Sequence, residues 1–168
     1  MKHSFSIPGR YPDCHTPNAG PTVFPVFRVP VLIYDRDQRA FDPQPVRFLW
    51  DTGASFCMID RRTADDFHIR IDPTLDRVDG GMEGLGGQQE AWLTTMRVQF
   101  PLLTATRRFL RFGSSKPASL AFDFTVLVVE SLGVPLLGAS DVLRNFTVTC
   151  RWEACHFHLN ADHLGTPV

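Results

Sequence analysis

The chain has 168 residues, a formal net charge of −1 and an apolar fraction of 43%. That length suits one domain with a real core, and scattered basic residues at balanced charge argue against a nucleic-acid partner. No apolar run approaches the roughly 20 residues that cross a bilayer, and Met1–Phe5 lacks the apolar stretch of a signal peptide, so the expectation is a cytoplasmic protein without a membrane partner.

Residues 1–21, with Pro8, Pro12, Pro17 and Pro21, read as an N-terminal arm or loop. Thr22–Tyr34 is β-branched and aromatic but carries Pro25 and Pro30, which predicts two short edge segments or one bent strand. The polar residues 35–45 read as a hairpin loop. Val46–Trp50 reads as a strand whose apolar end, Phe48-Leu49-Trp50, runs directly into Asp51-Thr52-Gly53, a tight turn. Phe56–Ile59 is the next strand, and Asp60 is a plausible N-cap for a helix over Arg61–Phe67. Residues 78–87 hold five glycines: Gly80, Gly81, Gly84, Gly86 and Gly87. Strands are expected at Ala91–Phe100, Phe109–Phe112 and Phe122–Val129, with a loop at Gly113–Pro117. Gly133 and Pro135 precede Leu136-Leu137-Gly138, and Ser140 can cap a helix over Asp141–Phe146. Thr147–Thr149 and His156–Leu159 read as a terminal hairpin. The fold class is mostly β with two short helices, as one domain over 22–160 followed by a tail at 161–168.

The four cysteines, Cys14, Cys57, Cys150 and Cys155, show no close pair of the kind that holds zinc. Cys150, Cys155, His156 and His158 form the one cluster that could bind metal. His156 and His158 share a strand face, but Cys155 then points to the other. Cys150 and Cys155 could also meet across a hairpin as a disulfide, although a cytosolic chain would keep them reduced. Small apolar fillers and surface imidazoles are the expectation, with no metal and no cofactor.

The chemistry centres on Asp51. A carboxylate set against an apolar strand is costly unless it is hydrogen-bonded, paired or functional. The chain also has weak internal symmetry. Phe48-Leu49-Trp50, a turn, Met58-Ile59 and a capped helix form one unit; Val126–Val129, a turn, Leu136-Leu137-Gly138 and a capped helix form the second. Only the first unit carries an acid at the turn; the matching place near Leu132 and Gly133 has none.

Asp51-Thr52-Gly53-Ala54-Ser55, then Gly84-Leu85-Gly86-Gly87, then Leu136-Leu137-Gly138 before a short helix, together resemble the retropepsin-type aspartic proteases, the retroviral proteases and their cellular and bacterial relatives. The resemblance spans roughly residues 22–160 by motif order. It implies a retropepsin-like closed β-barrel that works as a homodimer on a peptide or protein substrate. Each subunit supplies one Asp51, since this chain has a single such loop. It further implies that Thr52 hydrogen-bonds across the dimer and that Gly53 brings its amide near the carboxylate. Ala54 takes the place of a hydroxyl residue common in pepsin-like enzymes, which implies a less acidic working range, with Ser55 a possible substitute. Gly84, Leu85, Gly86 and Gly87 would form a flap over the substrate. Leu49, Met58, Met82, Leu85, Val134 and Leu136 would line apolar pockets. Many relatives carry an arginine after the Leu-Leu-Gly glycine that ties the helix to the active-site loop. Here that position is Ala139, with Arg144 and Arg151 as candidates to replace the brace.

Two other readings compete with an aspartic endopeptidase. One is a catalytically silent retropepsin-like module that dimerises or binds peptides. The other is a small β-barrel binding protein in which Asp51 is a structural carboxylate accepting backbone hydrogen bonds.

Overall fold

The computed structural model describes residues 4–9, 15–16, 20–21, 26–84, 87–101 and 121–160. Leu85, Gly86, Cys14, the strand expected at Phe109–Phe112, the loop at Gly113–Pro117 and the tail 161–168 lie outside the described residues. In chain order the strands are β1 (Ser4–Pro8), β2 (His15–Thr16), β3 (Gly20–Pro21), β4 (Arg28–Asp35), β5 (Ala40–Phe41), β6 (Val46–Trp50) and β7 (Cys57–Asp60). Helix α1 (Arg61–Asp66) follows, then β8 (Met82–Gly84), β9 (Gly87–Gln89), β10 (Ala91–Gln99), β11 (Ala121–Val129) and β12 (Leu136–Leu137). Helix α2 (Ala139–Asn145), β13 (Phe146–Cys150) and β14 (Ala154–Leu159) complete the fold.

Six strands close on themselves in the order β4, β10, β11, β7, β12, β6, with β6 pairing back to β4. β7 lies parallel to β11 and β12 parallel to β6, while β12 meets β7 antiparallel at Leu136 and Met58. These pairings are what the internal repeat requires. A twofold that exchanges β6 with β11 and β7 with β12 maps each parallel pair onto the other. The two helices follow their units at equivalent places.

Of the stretch expected to form two short edge segments or one bent strand, Arg28–Asp35 is a single strand that runs through Pro30. β4 alternates cleanly, with Val29, Val31 and Ile33 inward and fully buried. Pro30 is tolerated because pairing with β10 begins only at Leu32, so its missing N–H removes no bond on that side. The same alternation carries Asp35 inward, where it is 2% exposed. Its Oδ1 accepts from the Asp37 and Gln38 N–H groups at 2.8 and 3.1 Å, and lies 3.1 Å from His68 Nδ1. The Gln38 amide above all holds this carboxyl below its ordinary value, with Asp37 and His68 adding to it against the opposing effect of burial. Asp60 caps α1 as expected, accepting from Thr63 N–H at 2.8 Å.

Three expectations are corrected. Within the segment read as an arm or loop, Ser4–Pro8 is a strand, β1, which joins β14 and β13 in a three-stranded sheet. It is held because Phe5 and Ile7 are buried: the Phe5 ring stacks on Phe157 at 4.8 Å and on Phe100 at 5.5 Å. Second, α2 begins at Ala139 and not at Asp141, and its N-cap is Gly138 without a side-chain bond. The helix can start earlier because other backbone carbonyls take up its first N–H groups, as described below. Third, Cys150 and Cys155, opposite each other in the β13–β14 register, form a disulfide.

Candidate active site

Asp51 stands where β6 leaves the barrel. Trp50 before it is buried against Phe157, and its backbone N–H donates to the Phe27 carbonyl at 2.9 Å. Leu49 N–H donates to Pro135 O at 2.8 Å and Asp51 N–H to Leu137 O at 3.2 Å, so the backbone of Asp51 is tied to β12. The chain then turns. Gly53 N–H donates to Asp51 Oδ1 at 2.9 Å, and among the described residues no second carboxylate hydrogen-bonds that of Asp51. A Cβ on Gly53 would sit 3.3 Å from the same oxygen. That contact is tight but made only with the end of one side chain, and the Gly53 backbone is not in the left-handed region. Thr52, Gly53 and Ser55 are exposed, and Ala54 is half-buried.

The loop is braced by the backbone of α2. Ala139 N–H donates to Ala54 O at 2.8 Å and Ser140 N–H to Ser55 O at 2.9 Å. These are two of the N-terminal amides that a helix leaves without intrahelical partners. Gly138 packs directly on the Phe56 carbonyl. Neither candidate arginine supplies the brace. Arg144 lies 3.4 Å from Asp141 within its own helix, and exposed Arg151 donates its backbone N–H to Ala154 O at 2.8 Å. Asp141 is buried and accepts from Thr125 N–H at 2.6 Å, which fixes α2 to β11. Beneath the loop, burial pushes the Cys57 thiol up to about 12.

The glycine-rich segment forms the antiparallel hairpin β8–β9, pairing Met82 with Gln89 and Gly84 with Gly87. Gly80, Gly81 and Gly87 have φ of 79°, 66° and 87°, which accounts for glycine at these places. Met82 of this hairpin packs against a small apolar cluster of Met58, Ala91, Leu127 and Val129, joined by Val78, Leu132 and Leu136. Three residues expected to face substrate, Met58, Met82 and Leu136, therefore belong to one apolar cluster. Leu49 lies beside Leu136 in the β6–β12 register, and Val134 is half-buried in the 130–135 loop outside that cluster.

A family model described as aspartyl protease matches residues 29–140. The chain belongs to the aspartyl protease family. Among solved structures it is similar to a retropepsin-like aspartic protease from Rickettsia conorii, with a TM-score of 0.54 and 14% identity over 95% of this chain and 93% of that one. The barrel is accordingly a retropepsin-like fold. EIAV protease in complex with the inhibitor HBY-793 gives a TM-score of 0.41 at 20% identity, over 78% of this chain and 92% of that one. The retroviral protease-like domain of Ddi1 from Leishmania major gives 0.44 at 17%, over 73% and 79%. No curated protein matches the chain.

The family match ends at Ser140 and so takes in the Asp51 loop, the hairpin and the first amides of α2. Sequence reasoning about this family member missed Val78 and Leu132, which join the apolar cluster from stretches read as a glycine-rich segment and a turn. It also missed Gly138 as a packing residue. The signal was present there, since a helix that starts on Gly-Ala with no side-chain cap must find acceptors elsewhere.

Proposed function

We propose that this chain is an aspartic endopeptidase that hydrolyses peptide bonds by activating a water between the Asp51 carboxylates of two protomers in a homodimer. Two carboxylates in contact cannot both ionise cheaply, so they share one proton. One then removes a proton from the bound water while the other protonates the carbonyl oxygen of the scissile bond. No metal or covalent intermediate enters this route. Thr52 would hydrogen-bond between the two loops, Gly53 would orient the carboxylate and Ala54 would back it. The β8–β9 hairpin, with Gly84, Leu85, Gly86 and Gly87, would close as the flap over an extended peptide. Leu49, Met58, Met82, Val134 and Leu136 would favour apolar side chains.

The observation that carries this reading is the setting of Asp51: a half-buried acid at the head of an Asp-Thr-Gly turn, its carboxylate oriented by Gly53 N–H, its backbone tied to β12, and the two residues after the turn tied to α2. The test is cleavage of a mixed peptide library by purified protein, with the oligomeric state read by sedimentation. Cleavage is expected from a dimer, with inhibition by pepstatin. Asp51→Asn should abolish cleavage while leaving the dimer and its melting temperature intact. Continued cleavage by Asp51→Asn would remove Asp51 from the mechanism. A dimer that binds peptides without cutting them would favour the silent module.

A further inference from the structure

Three successive residues at the root of the hairpin each use their side chain differently. Gln88 Nε2 donates to Gly80 O at 2.7 Å. Glu90 pairs with the Arg77 guanidinium. Both bonds stay within the hairpin's own root, residues 77–90. Gln89 lies between them and reaches the other way. Its Oε1 accepts from Ser131 N–H at 3.3 Å, across to the loop that follows β11. Among the described residues this is the hairpin's one side-chain hydrogen bond to the 130–135 loop, which carries Leu132 and Val134.

Gln89 is also the residue against which the hairpin folds. It pairs with Met82 in the β8–β9 register, and a Cβ on Gly81 would collide with its carbonyl group. Its backbone is therefore fixed by the hairpin while its side chain is bonded to the 130–135 loop. Movement of the hairpin away from the 130–135 loop breaks the Gln89–Ser131 bond and draws Met82 off the apolar cluster that Leu132 and Leu136 also pack against. The bonds of Gln88 and Glu90 survive that movement.

We infer that Gln89 is a positioning residue, a latch that holds the β8–β9 hairpin down on the 130–135 loop. The inference rests on the reading of this hairpin as the substrate-covering flap. Gln89 touches no reacting atom; it acts by setting how long the hairpin stays closed. Loss of the acceptor removes binding that is equal in the ground and transition states, which raises KM and leaves kcat unchanged.

The test uses the full-length protein, Gln89→Met, which keeps the side-chain length without an acceptor, and Gln89→Glu, which restores one. Amide hydrogen exchange is read without substrate. Gln89→Met should speed exchange at Ser131 and through the hairpin by about three- to tenfold, the scale of one solvent-exposed hydrogen bond. Amides of β11 should be unchanged, which controls for folding, and Gln89→Glu should return exchange toward the wild-type rate. With an apolar reporter peptide, Gln89→Met should raise KM by a similar factor at constant kcat. Unchanged exchange at Ser131 in Gln89→Met, or a fall in kcat alone, would overturn the latch. A wild-type protein that cuts no peptide would count against the protease reading, while the exchange arm would still decide the latch.

Discussion

A Cβ on Gly138 would lie 2.9 Å from Cys57 N and closer still to the carbonyl carbon and oxygen of Phe56. The start of α2 and the end of the Asp51 loop therefore touch through bare backbone. Gly138 is followed by the two amides that hold Ala54 and Ser55. Gly138→Ala should push these segments apart and cost about 3 kcal/mol, as forced overpacking does. The check is the urea midpoint of the variant at unchanged m-value, and an undisturbed midpoint would mean that the contact is soft.

Asp35 sets an acid limit on stability. Its carboxyl is held below the ordinary 3.8 in the folded protein, first by the Gln38 amide. The unfolded chain binds a proton there at the ordinary value. The stabilisation from Asp35 is thus complete above that value and is lost as pH falls through the lower folded one. Melting temperatures of wild type and Asp35→Asn should differ most at about pH 5 and converge toward about pH 2. A gap that stays constant over that range would show that the Asp35 charge contributes nothing.

The cysteines should be chemically distinct. In a Cys14→Ser background, the Cys150–Cys155 disulfide leaves Cys57 as the one thiol, and it is buried. With its thiol pushed up to about 12 by burial, Cys57 is protonated at pH 8 and shielded from reagent. A disulfide-exchange dye should titrate no thiol in the native protein and one in denaturant. Reduction of the disulfide, which closes a loop with a sequence separation of 5, should lower stability by about 2 kcal/mol. Denaturation with and without reductant measures it.

What was legible in the sequence was local. Phe48–Trp50 and Val126–Val129 are unbroken apolar runs, and Asp60 has its cap partner three residues on. Asp51-Thr52-Gly53 stood out because an acid rarely ends such a strand without a reason. The repeat of strand, turn, strand and helix also held, since β7–β11 and β6–β12 pair as its symmetry requires. What was missed depends on distant partners. Phe5 and Ile7 alternate over too few residues to signal a strand beside four prolines, and their partner is near the other end of the chain. The start of α2 was misplaced because its cap is not a side chain but two carbonyls more than 80 residues upstream. Pro30 argued for a break or a bend because its neighbours in the sheet were unknown.

The pairing of β1 with β14 also fixes an order of events during synthesis. Ser6 and His156 are neighbours in the sheet although 150 residues separate them. At ribosomal speeds, Phe5 and Ile7 wait roughly 10–30 s before the strand that covers them has been made. Through that interval the barrel strands can assemble around Val29, Val31 and Ile33, while Phe5 and Ile7 still lack the strand that pairs with theirs. β1 is thus made well before the strand it pairs with, and its docking there waits until the chain has been read through to β14.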